Sequence, residues 1–474
     1  MALADIDHIV VLMLENRSFD CILGRLYPPS PGFNGLPLTS SNPDRNGNAI
    51  PVWNSGGLDN ESMSIPTPDP GELFVDMNTQ LFGSPVAPTP PDADMTGFAR
   101  NYQAQTGQPP YDPRNVMHYY TPEQVPVISA LARQFAVCDR WHASAPCQTW
   151  PNRFFVHTGT AGGYENNSPP HFPYEMPSIF RRLEDAGIPW KVYFHDMPQA
   201  LTLADLWPHA GNFRLFDEFY ADAKAGTLPA YSFLEPRYFA DLNLPSDQHP
   251  PHNVTLGEQL IAQVYNALRS GPAWTRTLLV ITYDEHGGNY DHVPPPRAIP
   301  PSDQPSSPFN FDRYGVRVPA VIISPYVPAN TVLRPPADIP FDHTSIIATL
   351  RKRFDIGGPL THRDAAAPDL GDVLSLPDPT NMGPSSLDAL PYVPSPADVA
   401  TARAAPLNGH QQGLVELAAH LPSTIGTGDF ETYITSWLDH LRSDAVGSGD
   451  LAVQDAIDAL ALIKGRLGNL FQSL

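Results

Sequence analysis

The residues with the clearest chemical potential lie in TYDEHGGNYDHV, residues 282–293. An apolar run, LLVI at 278–281, precedes them and reads as a buried strand. That strand delivers Asp284, Glu285 and His286 together, before Gly287 and Gly288 break it. Two carboxylates beside an imidazole make a poor core and a good metal site, and ligands of open α/β sheets gather at the carboxyl ends of strands. The N-terminal segment HIVVLMLENRSFD (8–20) repeats the plan. It runs apolar from Ile9 to Leu14 and then presents Glu15, Asn16, Arg17 and Asp20. Two buried strands that both end in oxygen donors suggest one site built from both. Oxygen-rich donors admit Mg²⁺, Ca²⁺ or Mn²⁺, while His286 as an added ligand favours Zn²⁺.

A third constellation is CQTWPNRFFVHTGTAGG, residues 147–163. Thr149 stands just before Pro151 at what reads as a helix start, which is an ordinary capping pattern. The same position places a hydroxyl in the positive field of a helix N-terminus, and beside a metal it becomes a nucleophile. Arg153 is placed to clamp a phosphate through two donors or to pair with an acidic neighbour. Cys147 has no identifiable base to activate it.

The elements that must position these groups alternate. Residues 7–14 read as the first strand, 123–135 as a helix turning extended at 136–137, and 177–187 as an amphipathic helix followed by the strand PWKVYF. A helix over 256–270 precedes TLLVITYD, and 315–325 reads as a further strand before a helix over 342–354. This alternation predicts an α/β fold, a mostly parallel sheet sandwiched by helices. Residues 28–115 are rich in Pro, Gly, Ser, Asn and Asp, too long for an idle loop, and are expected to wall the site. Their rings, Trp53, Phe98, Tyr102 and Tyr111, with Tyr119 and Tyr120 beyond, either form a pocket for a choline-like cation or simply pack the loop. The organisation expected is a catalytic domain over 1–355, a Pro-rich linker over 356–410 and a helical region over 411–474, with an apolar stripe in its last helix (447–472).

The chain has 474 residues, 28 Lys+Arg against 50 Asp+Glu, and a formal charge of −22. That balance argues against nucleic acid and against electrostatic docking on anionic membranes, leaving at most transient membrane contact. Three cysteines form neither a disulfide framework nor a CxxC metal motif. No stretch is apolar and long enough for a membrane span. The first twenty residues lack the features of a signal peptide, so the expectation is a cytoplasmic protein or one exported with its leader removed.

The motifs ENRSFD (15–20), QTWPNR (148–153), DQHPPHNVTLGE (247–258), YDEHGGNYDHV (283–293), RVPAVIISPYV (317–327) and FDHTSIIATL (341–350) together resemble the bacterial phosphoesterase family of phospholipases C and related acid phosphatases, within the alkaline-phosphatase-like superfamily. The resemblance spreads over most of residues 5–355. It implies that Glu15, Asn16, Thr149, Asp284 and Glu285 bind a divalent metal ion and that Thr149 is the nucleophile; His252, in the QHPPHN motif, and His118, in MHYY, are the histidines expected to be catalytic. His249, His195, His286 and Arg153 are further candidates, whereas His343 and His292 read as structural. The implied reaction is hydrolysis of phospholipids to diacylglycerol and a phosphorylated head group through a phosphothreonine. Alternatives are an acid phosphatase or phosphodiesterase acting on other, soluble phosphate esters, and a metal-stabilised binding protein. Two departures stand out: Cys21–Gly24 replaces an aromatic-rich segment, and His286 follows the acidic pair where Asn is common.

Overall fold

The computed structural model describes residues 2–420, apart from 90, 106–110, 169–171, 241–242, 305 and 307–308. Eight strands form the main sheet: β1 (His8–Leu14), β2 (Ala136–Cys138), β3 (Trp190–Phe194), β4 (Phe213–Leu215), β5 (Tyr231–Glu235), β6 (Thr277–Tyr283), β7 (Ala320–Ile323) and β8 (Thr331–Leu333). Their order is β8-β2-β7-β6-β1-β5-β3-β4. β7 pairs antiparallel with both β6 and β2, and every other pairing is parallel. β1 and β6 occupy the centre, and their side chains are buried almost throughout. That is why both read as unbroken apolar runs. Helices pack around this sheet, as the alternation of elements predicts.

The β1–β6 register sets Leu14 opposite Tyr283, so the two strands end level. Asp284 N then donates to Leu14 O at 3.2 Å, and Glu15 N donates to Asp247 O at 2.8 Å. Two ligand-bearing segments far apart in sequence are thereby fixed side by side.

Two expectations about organisation change. Residues 28–115 contain helices at Phe74–Phe82 and Phe98–Ala104 and a short hairpin of Ser41–Pro43 with Ala49–Pro51. Residues 356–410 are not a free linker, because they are tied to the sheet domain along their length. Arg363 is buried and donates to Ser144 O at 2.7 Å, while Asn381 Nδ2 donates to Gln134 O and Val327 O, each at 2.7 Å. Tyr265 Oη donates to Pro384 O at 2.7 Å. The helix Gly409–His420 buries Leu414, Val415 and Leu417. It docks on Trp150, whose Nε1 donates to His410 Nδ1 at 3.1 Å. The rest of the expected C-terminal helical region, including 447–472, lies outside the described residues. Among the described residues no helix is long and apolar enough to cross a membrane.

Candidate active site

Thr149 opens the helix Thr149–Thr158, but it does not cap it. Gln148 occupies the cap position, and Asn152 secures the turn. Asn152 Nδ2 donates to Cys147 O at 2.7 Å, and its Oδ1 accepts from Ala145 N at 3.1 Å. The Thr149 hydroxyl is left to face the strand ends. Its Oγ1 lies 3.3 Å from Glu15 Oε2 and 3.4 Å from Asn16 Oδ1, and it also contacts the Asp284 carboxyl. One hydroxyl proton can satisfy only one of these oxygens.

The turn at Asn16 gathers the donors. Its φ is 55°, a left-handed conformation that Asn tolerates better than most residues. Its N–H donates to Asp284 Oδ1 at 2.8 Å, and its Nδ2 donates to Glu72 Oε1 at 2.6 Å and Glu285 Oε1 at 2.8 Å. A Cβ on Gly287, itself at positive φ, would lie 2.2 Å from Asn16 O, so glycine is required for this close approach.

Glu15, Thr149, Asp284 and Glu285 are all fully buried. Burial raises the pKa of all three carboxyls. Arg153 counters this at Glu15 and Asp284, whereas neighbouring carboxylates add to it at Glu15 and Glu285. Asp284 Oδ2 has no hydrogen-bond partner. Buried oxygens crowded around one hydroxyl, with an orphan among them, fit a hard divalent cation and are costly without one.

Arg153 is fully buried, donates to Glu15 Oε1 and to Met13 O (3.2 Å), and sits over the Tyr238 ring. Burial disfavours its charge, but Glu15 and Tyr238 outweigh that and hold it protonated. Its Nε and Nη1 have no hydrogen-bond partner.

The histidines separate by their contacts. His252 Nδ1 lies 2.6 Å from Asp247 Oδ1, and Asp247 carries the carbonyl that receives Glu15 N–H. His249 is buried and lies 3.5 Å from Glu72. These two join the site region. His118 instead accepts from Ser55 N at 3.1 Å and packs edge-on against Trp53 and Tyr120, so it braces the long loop. Burial lowers its pKa to about 3. His195 stacks on Phe216 with ring centroids 4.0 Å apart. His286 Nε2 donates to Gln80 Oε1 at 2.7 Å and its ring meets Phe98 edge-on, while its Nδ1 lies 3.3 Å from Glu285 Oε2, so it links the loop helices to one carboxylate of the cluster. His343 accepts from Trp141 Nε1 through Nδ1 (3.3 Å) and donates from Nε2 to Asp284 O at 2.6 Å. It therefore braces the backbone of a ligand residue. His292 pairs with Asp20 at 2.6 Å in a network closed by Arg317, which fits the structural reading. Cys147 is buried, and burial raises its thiol pKa well above the usual range.

Sequence reasoning missed Glu72, Asp69 and Asp247. Glu72 sits in the aperiodic stretch expected to wall the site, and nothing in its spacing distinguishes it from other loop acids. Asp247 stands beside the QHPPHN motif, which offered a signal.

A model of the Phosphoesterase family matches residues 6–357. The chain is 38% identical over 408 residues to non-specific phospholipase C3 of Arabidopsis thaliana, covering 81% of this chain and 76% of that one. It is 40% identical over 379 residues to non-specific phospholipase C1 of the same plant, covering 76% and 69%. It is 32% identical over 456 residues to phospholipase C A of Mycobacterium tuberculosis, covering 83% and 82%. The family model and these relatives mark the chain as a hydrolase of phosphoric ester bonds. The chain belongs to the Phosphoesterase family.

Proposed function

We propose that this protein is a metal-dependent phosphoesterase of phospholipase C type, with Thr149 as its nucleophile. The observation that carries the reading is the buried Thr149 hydroxyl, 3.3 Å from Glu15 and 3.4 Å from Asn16 at the level ends of two central strands. The substrate class is supported by the phospholipases C to which the chain is similar. Glu15, Asn16, Thr149, Asp284 and Glu285 are the residues that would hold the cation. Bound there, it would lower the pKa of an adjacent hydroxyl and offset charge on phosphoryl oxygens.

Thr149 Oγ1 attacks phosphorus in line, giving its proton to a neighbouring carboxylate. The bond from phosphorus to the diacylglycerol oxygen breaks as the Thr149–phosphorus bond forms. His252, held by Asp247, supplies the proton that the departing alkoxide needs, an acid oriented by a carboxylate. It then takes a proton from the water that hydrolyses the phosphothreonine, and the carboxylate returns its proton to the departing Thr149 oxygen, so that the phosphorylated head group is released and the hydroxyl restored. Arg153 offers its two unpartnered donors to phosphoryl oxygens.

The test is Thr149→Ala, assayed on phosphatidylcholine vesicles and on p-nitrophenyl phosphate. Wild type is expected to turn over the vesicles faster, and the variant to lose turnover on both while keeping its fold by circular dichroism. Retention of more than about a tenth of wild-type activity, under 1.4 kcal/mol in barrier, would rule Thr149 out as nucleophile. A wild type active only on the soluble ester would overturn the lipid substrate.

A further inference from the structure

The helix Gly409–His420 lies beyond residues 6–357, the span that the family model matches. Its second residue, His410, is buried and stands against Trp150, the neighbour of Thr149 in the chain. We propose that His410 binds the substrate, donating from Nε2 to a non-bridging oxygen of the phosphoryl group that Thr149 takes up. The inference rests on the reading of Thr149 as nucleophile and deepens it, by adding a contact from outside the matched span.

One contact sets the tautomer. Trp150 Nε1 donates to His410 Nδ1 at 3.1 Å, and an indole N–H can only donate. Nδ1 therefore carries the lone pair, and Nε2 carries the hydrogen. Burial and the charge on Arg153 both keep the ring neutral. The Nε2–H has no hydrogen-bond partner among the described residues. A buried donor left without an acceptor is costly, so it calls for a specific occupant.

The surroundings say which acceptor. The charged groups that act on the ring are Arg153 and His249. Arg153 is held protonated, and its Nε and Nη1 have no partner either. At His249 burial opposes charge, but Asp69 and Glu72 outweigh it and favour the protonated ring. Arg153 and His410 share the Tyr238 ring. The guanidinium carbon lies 5.6 Å from its centroid, and the imidazole meets it edge-on with centroids 4.5 Å apart. Unpartnered N–H donors and positive charge gathered at one ring fit an anion with several acceptor oxygens, which is what a phosphoryl group presents.

The imidazole is fixed before any ligand arrives. Gln411 Nε2 donates to Tyr238 O at 2.6 Å, Gln411 N donates to Asn408 Oδ1 at 2.8 Å, and Leu414, Val415 and Leu417 bury the same helix. A donor already held in place costs little ordering when the ligand binds.

The experiment reads anion binding and turnover together. Full-length protein saturated with Mn²⁺ is titrated calorimetrically with inorganic phosphate and assayed on p-nitrophenyl phosphate. His410→Phe keeps a flat ring and loses both nitrogens. His410→Gln keeps an amide oxygen for Trp150 and an amide N–H for the ligand. His410→Phe is expected to weaken phosphate binding by about tenfold or more, and His410→Gln to stay near wild type, with kcat/KM following the same order. Unchanged phosphate affinity in His410→Phe overturns the proposal and leaves the Nε2–H to a buried water. Equal losses in the two variants overturn it as well, and make His410 a packing residue. If His410→Phe does not fold, crystals of wild type soaked with vanadate decide the matter. A vanadate oxygen is then required within hydrogen-bond reach of His410 Nε2, and its absence overturns the proposal. Wild type that binds no phosphate overturns the reading of the Thr149 site itself, a different result from a variant that binds as well as wild type.

Discussion

At Asn16 a single residue sets a backbone turn at φ 55° and joins three carboxylates through its N–H and Nδ2. Backbone and side chain can be separated. Asn16→Gly keeps the left-handed turn available, so its melting temperature should exceed that of Asn16→Ala, which bears about 1–2 kcal/mol of left-handed strain. Both variants should lose turnover and metal affinity, because both lose the side-chain oxygen and amide. Equal melting temperatures, or an active glycine variant, would contradict this account. Glu15, Asn16, Thr149, Asp284 and Glu285 were legible in the sequence because each follows an apolar run or opens a helix, and such ends converge in an α/β sheet. Glu72 and Asp69 were not, since a loop acid acquires its role only from where the loop folds. The same is true of the histidines. His118 and His252 both stand in polar, aromatic or Pro-rich segments, and only packing sends one ring to Trp53 and the other to Asp247.

Elements hold one another through groups that titrate. The helix Pro126–Gln134 has no side-chain cap of its own. Glu258, on the helix Val254–Ser270, supplies one by accepting from Val127 N at 2.6 Å and Ile128 N at 3.1 Å. Burial raises its pKa from the ordinary 4.5 to about 8, with the two N–H bonds opposing the rise. A raised folded pKa favours the protonated form. That stability is fully present below pH 4.5 and is lost as pH rises through 8. The loss is expected to be on the order of a few kcal/mol. Melting curves of wild type should fall across that window more steeply than those of Glu258→Gln, and parallel curves would refute the assignment. The helix Gly409–His420 offers a second test. A Cβ on Gly413 would lie 2.6 Å from Trp150 Cζ2. Gly413→Val should therefore cost about 1–3 kcal/mol by overpacking, read as a drop in the urea midpoint, and an unchanged midpoint would mean that this helix contributes nothing to the fold. Strand positions were legible from their apolar runs, but the antiparallel direction of β7 was not, because a buried strand reads alike from either end. The docking of 356–410 was hidden for a similar reason. Proline and polar residues signal irregular chain without saying whether Asn381 finds Gln134 and Val327.

Across the whole molecule, a formal charge of −22 and buried carboxylates make cations part of the stability balance. A ligand that binds only the folded state stabilises it by about 2.7 kcal/mol at a hundredfold excess over its Kd. Mn²⁺ should raise the melting temperature of EDTA-treated protein, and Asp284→Asn should blunt that rise. A melting temperature indifferent to Mn²⁺ would sink the expectation. The sheet order has one more consequence, and it concerns synthesis on the ribosome. β1 is made first and sits between β5 and β6, its two neighbours in the finished sheet. Asn16 and Glu285, which touch through one amide, are 269 residues apart. At about 5–20 residues per second, β1 waits roughly 13–54 s for β6 to be translated. Throughout that interval an apolar strand has an open edge of the kind that recruits stray strands. Shielding β1 during that interval then bears on yield, and cation capture waits until Asp284 and Glu285 have been made.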